Sequence, residues 1–361
     1  MSTPHAAPYW SNRPARPDET DAILALVQAV HANTDLHIDE TYWRWRYLSD
    51  TAFRADIIVS EHEGRPIGIQ PVAIFDWRWG QSRLKGAMYT GVLTHPDHRR
   101  RGIFRSLIES SNEHAARRGA QFSMTLPNEL SLPGFLRFGD WQYPGLIPLF
   151  MKVIDGRVMV RSKLGGVLGD LVCWAPGLFF RRRGGAAGES LCFDRVERLP
   201  PDLDEVADQY ARGVERLMIL RTADYWNWRY ASKPRAAYRL FTARDAGRVI
   251  GAVATSRGVR GGFQVGMIMD VVSTASVSSL RGLIRCAEDD LRQRGLGLSS
   301  CQATSPILGE ALRAEGYHVA PPRLIRKRFH FVFRRTGVSG LPADPNEIGL
   351  WHLNFGDSDN A

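Results

Sequence analysis

GVLTHPDHRRRGIF, residues 91–104, decides how this chain is read. An apolar, strand-like run stops at Pro96, an arginine-rich turn follows, and an apolar helical pattern opens at Gly102. A helix start presents backbone N–H groups without partners and a partial positive charge. Glycine lets an anion come close to the backbone. Arg99, Arg100 and Arg101 add cations beside it. Together these features make a cradle for a pyrophosphate. An isolated basic run is more often a solvated turn, but here a strand precedes it and a helix follows. It is not a Walker A loop, because no Gly-Lys-Ser or Gly-Lys-Thr is present, and it is not the dinucleotide GxGxxG. His95 and His98 read as polar loop groups rather than catalysts.

Working outward, residues 13–30 predict a short strand and then a helix with Ile23, Leu24, Leu26 and Val27 on one face. Residues 57–79 predict a hairpin turning at EGRP, and 84–96 another strand. Residues 101–120 predict a helix ending at Gly119, 120–128 a buried strand, and 132–141 a short helix closed by Gly139. Strands and helices in this order predict a mixed α/β layer fold.

An aromatic string occurs twice, as TYWRWRYLSD at 41–50 and DYWNWRYASK at 224–233. Tyr42 and Tyr225 are 183 residues apart, too far for a solenoid repeat and right for a small domain. The second half predicts a helix at 204–214, a hairpin at 238–258, strand-turn-helix at 265–295 and strand-helix at 297–319, the layout of the first half. The rings are expected to pack beside the sheet, with Arg46 and Arg229 paired or stacked on them. The second turn, STASVSSLRG, has no basic side chain over residues 273–280. The second copy is therefore expected to keep the fold and lack the phosphate site. LGGVLGDLVCWAPGLFFRRRGG (164–185) reads as a linking or interface segment, with a membrane-surface element as its second reading.

The 361 residues fit two domains, and a chain 44% hydrophobic and 24% charged is ordinary for a globular protein. No secretory signal and no membrane-spanning run is read. The net charge of +9 favours an anionic partner without choosing among nucleic acid, membrane surface and a phosphate-bearing cofactor. The aromatic strings do not interleave with a continuous basic stripe, which argues against nucleic acid. Cys173, Cys192, Cys286 and Cys301 lack metal-ligand spacing and suit a reducing compartment.

The spacing Arg99, two residues, Gly102, one residue, position 104 resembles the coenzyme A loop of the GNAT acetyltransferase superfamily. Phe104 departs from it, since a small residue is usual there. TLPNELSLPGFLRFGDW (125–141) resembles the family's fifth strand and following helix. The resemblance implies a mixed, largely antiparallel sheet flanked by helices, built as two tandem GNAT-like domains with a degenerate second copy. Its bounds are 1–155 for the acyl-CoA-binding catalytic domain, 156–190 for a linker, 191–335 for the second copy and 336–361 for a C-terminal tail. It further implies acetyl-CoA or another acyl-CoA held by Val92, Leu93, Thr94, Arg99, Arg100, Arg101, Gly102, Ile103, Phe104, Arg105 and Asn128. The family's usual acid, a tyrosine, is replaced by Phe135. The substitutes in reach are Ser131, then Tyr143 and Tyr89, with Glu129 as base through water and a strand N–H near Leu93 for the oxyanion. The implied activity is N-acetyltransfer to an amine of a small molecule in the cytoplasm, such as an amino sugar of surface polysaccharide. Antibiotic-amine or protein-lysine acetylation and non-catalytic acyl-CoA binding are the alternatives. No nucleic-acid or metal partner is expected, and a homodimer is left open.

Overall fold

The computed structural model describes residues 9–32, 38–49, 51–158, 192–235, 237–260, 263–274, 276–325, 327–342 and 344–358. The stretch at 164–185 lies outside them. The chain divides into two compact units that are not sequential. Unit 1 holds residues up to Trp77, Arg83–Gly145 and Phe329–Asn346; unit 2 holds Arg78–Ser82, Leu146–Arg328 and the residues from Glu347.

Unit 1 contains β1 (Ser11–Pro14), α1 (Thr20–His31), α2 (Glu40–Tyr47), β2 (Ala55–His62), β3 (Arg65–Trp79), β4 (Ser82–Tyr89), β5 (Leu93–Thr94), α3 (Ile103–Arg117), β6 (Phe122–Thr125), α4 (Leu132–Arg137) and β7 (Gln142–Leu146). Its sheet runs β1-β2-β3-β4-β6-β16-β7, where β16 (His330–Arg335) comes from near the far end of the chain, and β5 pairs with β3. The β2–β3 hairpin turns on Glu63 and Gly64, both at positive φ (49° and 76°), which the EGRP sequence permits. Most neighbours are antiparallel, while β4 and β6 run parallel. Apolar side chains of α3, including Ile103, Leu107 and Ile108, pack with Tyr89, Phe135 and Trp141.

Unit 2 contains β8 (Leu149–Val153), β9 (Cys192–Val196), α5 (Leu203–Gly213), β10 (Met218–Ile219), α6 (Ala223–Trp226), β11 (Arg239–Asp245), β12 (Arg248–Arg260), β13 (Phe263–Ser273), α7 (Val277–Gln293), β14 (Leu298–Gln302), α8 (Pro306–Ala314) and β15 (His318–Val319). Its sheet runs β9-β11-β12-β13-β14-β8-β15. This is the strand order of unit 1. In each sheet the strand inserted next to the end comes from the opposite half of the sequence: β16 in unit 1 and β8 in unit 2.

This exchange revises the sequential bounds. Residues 146–155 belong to unit 2, and of the span 336–361 expected as a tail the described residues up to Asn346 fall in unit 1 and 347–358 in unit 2. Trp351, Leu353 and Phe355 are buried at 0–1% exposure in unit 2. Hydrophobic burial, not chain order, assigns them there.

The two aromatic strings are core. Asp39 caps α2 by accepting from the Tyr42 N–H at 2.8 Å, which turns Trp43, Trp45, Arg46 and Tyr47 inward. Thr222 caps α6 from the Tyr225 N–H at 3.2 Å, and a wider helical turn over Asn227–Ala231 buries Trp228, Arg229 and Tyr230. Arg46 lies over the Tyr47 ring at 5.5 Å and Arg229 over Tyr230 at 5.6 Å.

Candidate active site

The basic turn folds as its composition requires. Pro96–His98 form one tight helical turn, Arg100 takes φ 61°, and Gly102 takes φ 90° as the N-cap of α3. A left-handed N-cap with no side-chain acceptor leaves the amides of Ile103, Phe104 and Arg105 uncapped, since the first helical bond is Ser106 N–H to Gly102 O at 3.1 Å. No acidic residue occupies the first turn of α3. Arg99, Arg100, Arg101 and Gly102 are exposed. Arg99 Nε donates to Thr94 O at 3.4 Å, and Arg101 lies over the Tyr9 ring at 4.6 Å. Bare amides, three exposed guanidiniums and an α3 first turn without a carboxylate fit a pyrophosphate, with the one acid of the basic turn, Asp97, standing before the arginines.

Sequence reasoning missed the groups around this turn. Tyr9 stacks on His62 with ring centres 3.8 Å apart, and its hydroxyl lies 3.1 Å from His98 Nδ1. Partial burial, with His95, His62 and Arg101 close by, holds His98 below the ordinary histidine range. A Cβ on Gly102 would sit 3.7 Å from Trp10. The adjacent aromatics Tyr9 and Trp10 carry no local signal that places them beside residue 102.

The sheet forks just before the turn. The last parallel pair of β4 and β6 is Tyr89 with Thr125, closed by Thr125 Oγ1 donating to Tyr89 O at 2.8 Å. Gly91, at φ 60°, then turns the chain so that Leu93 and Thr94 pair with Ile69 and Gly68 of β3. His95 N–H donates to Ile67 O at 2.8 Å. Antiparallel pairs alternate, so Leu93 also bonds toward β3, while Val92 and Thr94 turn their backbone groups to the open side. Among the described residues no acceptor takes the Val92 N–H. The free strand donor is therefore Val92 rather than Leu93. A free N–H in the fork suits an acyl or amide oxygen.

On the other arm, the Asn128 side-chain oxygen accepts from the N–H groups of Leu130 at 3.0 Å and Ser131 at 2.9 Å, so Asn128 caps the loop into α4. Ser131 Oγ donates to that same oxygen at 3.1 Å and is half-buried. Glu129 is exposed beside them. Phe135 is 1% exposed and packs edge-on against Phe104 and Trp141, with ring centres 5.4 and 5.0 Å away. Phe104 is accommodated because Gly134 faces it: a Cβ there would meet Phe104 Cε1 at 2.6 Å. A large residue on α3 is matched by a missing side chain on α4.

Tyr143 is not brought to the fork. It lies on β7, two strands beyond β6, which at roughly 4.8 Å per strand is about 10 Å away. Its hydroxyl sits 2.9 Å from His330 Nδ1. Tyr89 is buried, its hydroxyl donates to Asn112 Oδ1 at 3.0 Å, and burial pushes its pKa well above the usual tyrosine range. It stands in the core rather than at the fork.

The turn before α7 differs. Ser276 caps α7 by accepting from the Ser279 N–H at 3.1 Å. Arg281 Nε donates to Glu315 at 2.6 Å and Arg285 joins the same carboxylate at 2.8 Å. No arginine stands free over that helix start among the described residues of 273–280.

No helix among the described residues is long and apolar enough to cross a membrane. No curated protein matches the chain by sequence. The chain is similar in fold to a GCN5-related N-acetyltransferase from Anabaena variabilis, with 13% identity and a TM-score of 0.64 over 91% of this chain and 73% of that one. It is similar to a probable N-acyltransferase from Enterococcus faecalis at 9% identity and a TM-score of 0.62, over 91% and 73%. It is also similar to Saccharomyces cerevisiae N-myristoyltransferase with bound myristoyl-CoA, at 9% identity and a TM-score of 0.56, over 91% and 83%. These likenesses show the fold. The family model described as Acetyltransferase (GNAT) domain matches residues 11–143, so the stretch that holds the fork and the basic turn is similar to a GNAT acetyltransferase domain.

Proposed function

We propose that the protein is an acyl-CoA-dependent N-acyltransferase that acetylates an amine of a small molecule, working in the first copy only. The observation that carries this reading is the bare, arginine-flanked start of α3 directly after a fork with an unpaired Val92 N–H. Coenzyme A would supply an acyl thioester. The amides of Ile103, Phe104 and Arg105, with Arg99, Arg100 and Arg101, hold its phosphates; Val92, Leu93 and Thr94 line the arm of the fork, and Asn128 faces it.

Within the fork the Val92 N–H is placed to receive the negative charge that develops on the thioester oxygen. An attacking amine must lose a proton, which Glu129 accepts through water, and the departing sulfur must gain one. Ser131, whose hydroxyl donates to Asn128 Oδ1 in the cap that leads from the other arm into α4, is the donor we assign. Positioning supplies much of the remaining acceleration. The acceptor class that follows from the family resemblance is an amino sugar. We place the reaction in the cytoplasm.

Phe135 favours a second reading, an acyl-CoA-binding module without turnover, because a buried phenylalanine stands where the family's tyrosine would donate. Free-thiol release from acetyl-CoA with amino sugars, aminoglycosides, polyamines and lysine peptides separates the two. Release that depends on one amine supports the enzyme. Tight binding with no release for any amine sinks it.

A further inference from the structure

Both sheets fork at the same point of their common order, but the two forks are not in the same condition. In unit 2 the last parallel pair of β13 and β14 is Ile268 with Cys301. Beyond it β13 bulges: its pairing with β12 passes from Ile268 opposite Thr255 to Asp270 opposite Ala254. Asp270 and Thr304 are then the facing arms of the fork, as Gly91–Val92 and Asn128 are in unit 1.

The chain's own C-terminal residues lie between these arms. Leu353 N–H donates to Thr304 Oγ1 at 2.8 Å, and Leu353 O accepts from Thr304 N–H at 3.2 Å. The Thr304 hydroxyl donates to Trp351 O. On the other arm Asn354 Nδ2 donates to Asp270 Oδ1 at 2.5 Å. Leu217 anchors the entry, donating to Leu350 O at 2.9 Å and accepting from His352 N–H at 3.0 Å. The exit is held by cations. Arg221, fully buried, pairs with Asp270 at 2.9 Å and with Asp357 at 2.8 Å. Arg229 donates to Gly356 O at 3.0 Å and Ser358 O at 2.6 Å. Residues 351–354 thus bond to both arms of the fork, to Thr304 through backbone and hydroxyl and to Asp270 through the Asn354 side chain, before the tight turn Phe355–Asp357, so the gap between the arms is filled by the chain itself.

We infer that residues 350–358 are a peptide ligand supplied in cis, which closes the fork of unit 2 to any thioester arm and confines coenzyme binding to unit 1. The loss of arginines before α7 and the occupied fork are separate obstacles, so restoring one would not restore a second site. Gly356 is the weak point of the plug. A Cβ on it would collide with the Tyr230 hydroxyl and lie 2.9 Å from Asp270 Oδ2.

The consequence for coenzyme rests on the proposed function, but occupancy of the fork does not, and the two are read separately. Hydrogen exchange by mass spectrometry on the full chain is expected to protect residues 350–358 as strongly as β13. Gly356→Val is expected to raise exchange in 350–358 and around Leu217 and Thr304 by more than tenfold, leaving β2 and β3 of unit 1 unchanged. Asn354→Ala, a milder change, should do the same to a lesser degree. Exchange of 350–358 at free-peptide rates in the unaltered chain, or no selective acceleration in either variant, would overturn the assignment. Calorimetry with acetyl-CoA on the unaltered chain should give one site. Two sites would overturn the closure of unit 2, whereas no binding at all with normal protection would sink the proposed function and leave the plug standing.

Discussion

Arg99→Ala combined with Arg101→Ala tests the phosphate cradle. Both guanidiniums are exposed and already oriented, one by Thr94 O and the other by the Tyr9 ring. A hydrogen bond to a charged group contributes about 1.5–3 kcal/mol. Exposure screens such contacts, which puts each near the lower end. Two losses of about 1.5 kcal/mol give about 3 kcal/mol, a weakening of acetyl-CoA binding by about a hundredfold at about 1.4 kcal/mol per decade. Calorimetric titration of the purified double variant measures this directly. The salt dependence of Kd should also flatten, because fewer cations then meet the phosphates. Arg281→Ala is the internal control: its side chain is bound to Glu315 on α8, so Kd should stay within about twofold on this assignment. A change smaller than threefold in the double variant, or a large effect of Arg281→Ala alone, would refute the cradle.

Four further outcomes follow from the same geometry. Val92→Pro removes an N–H that has no partner among the described residues, so kcat should fall by about 10²–10³ with little change in thermal midpoint; unchanged turnover would move the oxyanion donor elsewhere. Ser131→Ala should lower kcat by about 10²–10⁴ with KM nearly constant, and a loss under tenfold would pass the proton donation to water. Gly134→Ala drives a methyl into the Phe104 ring and should cost unit 1 about 1–3 kcal/mol in denaturant unfolding; adding Phe104→Ala should recover part of that, and strict additivity would show that the two do not meet. His352, 1% exposed and beside Arg221, is held neutral by burial and by that charge, its pKa pushed down to about 3. The unfolded chain binds this proton below about pH 6.5, so the stability of unit 2 is complete above that pH and falls by about 1.4 kcal/mol per unit toward pH 3. His352→Phe should flatten the slope, and an unchanged slope would assign the titration to another group.

The local elements were legible because local rules produce them. The turn at Glu63-Gly64, the cap at Asp39 and the helix opening at Gly102 each follow from residues within a few positions. The repeated aromatic string marks a buried, capped helical segment in each unit, α-helical over Glu40–Tyr47 and widened over Asn227–Ala231. The catalytic assignments were less legible. Leu93 and Val92 are neighbours in sequence, and only the bond from His95 N–H to Ile67 O shows which of the two faces β3. Phe104 departs from the family pattern, and its compensation, Gly134, lies thirty residues on in sequence and opposite it in the fold.

The exchanged strands and the plug were invisible for a different reason. LFMKV at 149–153 and HFVFRR at 330–335 form β8 and β16, and nothing within them says which sheet will take them. A vacant position beside a paired edge decides that, and vacancy is a property of the assembled sheet. The C-terminal stretch WHLNFGD (351–357) has no strand or helix pattern and ends in polar residues, so it looked like a tail. Its partners, Arg221, Asp270 and Thr304, stand between 47 and 136 residues away. Buried charge explains why it must fold where it does. Arg221 is fully buried and already faces Asp270 of β13, and delivery of Asp357 adds a second carboxylate to the same guanidinium, so removing the segment would leave that buried cation with half of its ion pairing. In unit 1 the arginines that follow the fork, 99 to 101, are exposed to solvent. The same strand order thus serves two ends, one fork satisfied from within the chain and the other left with a free N–H and exposed charge for a ligand to satisfy.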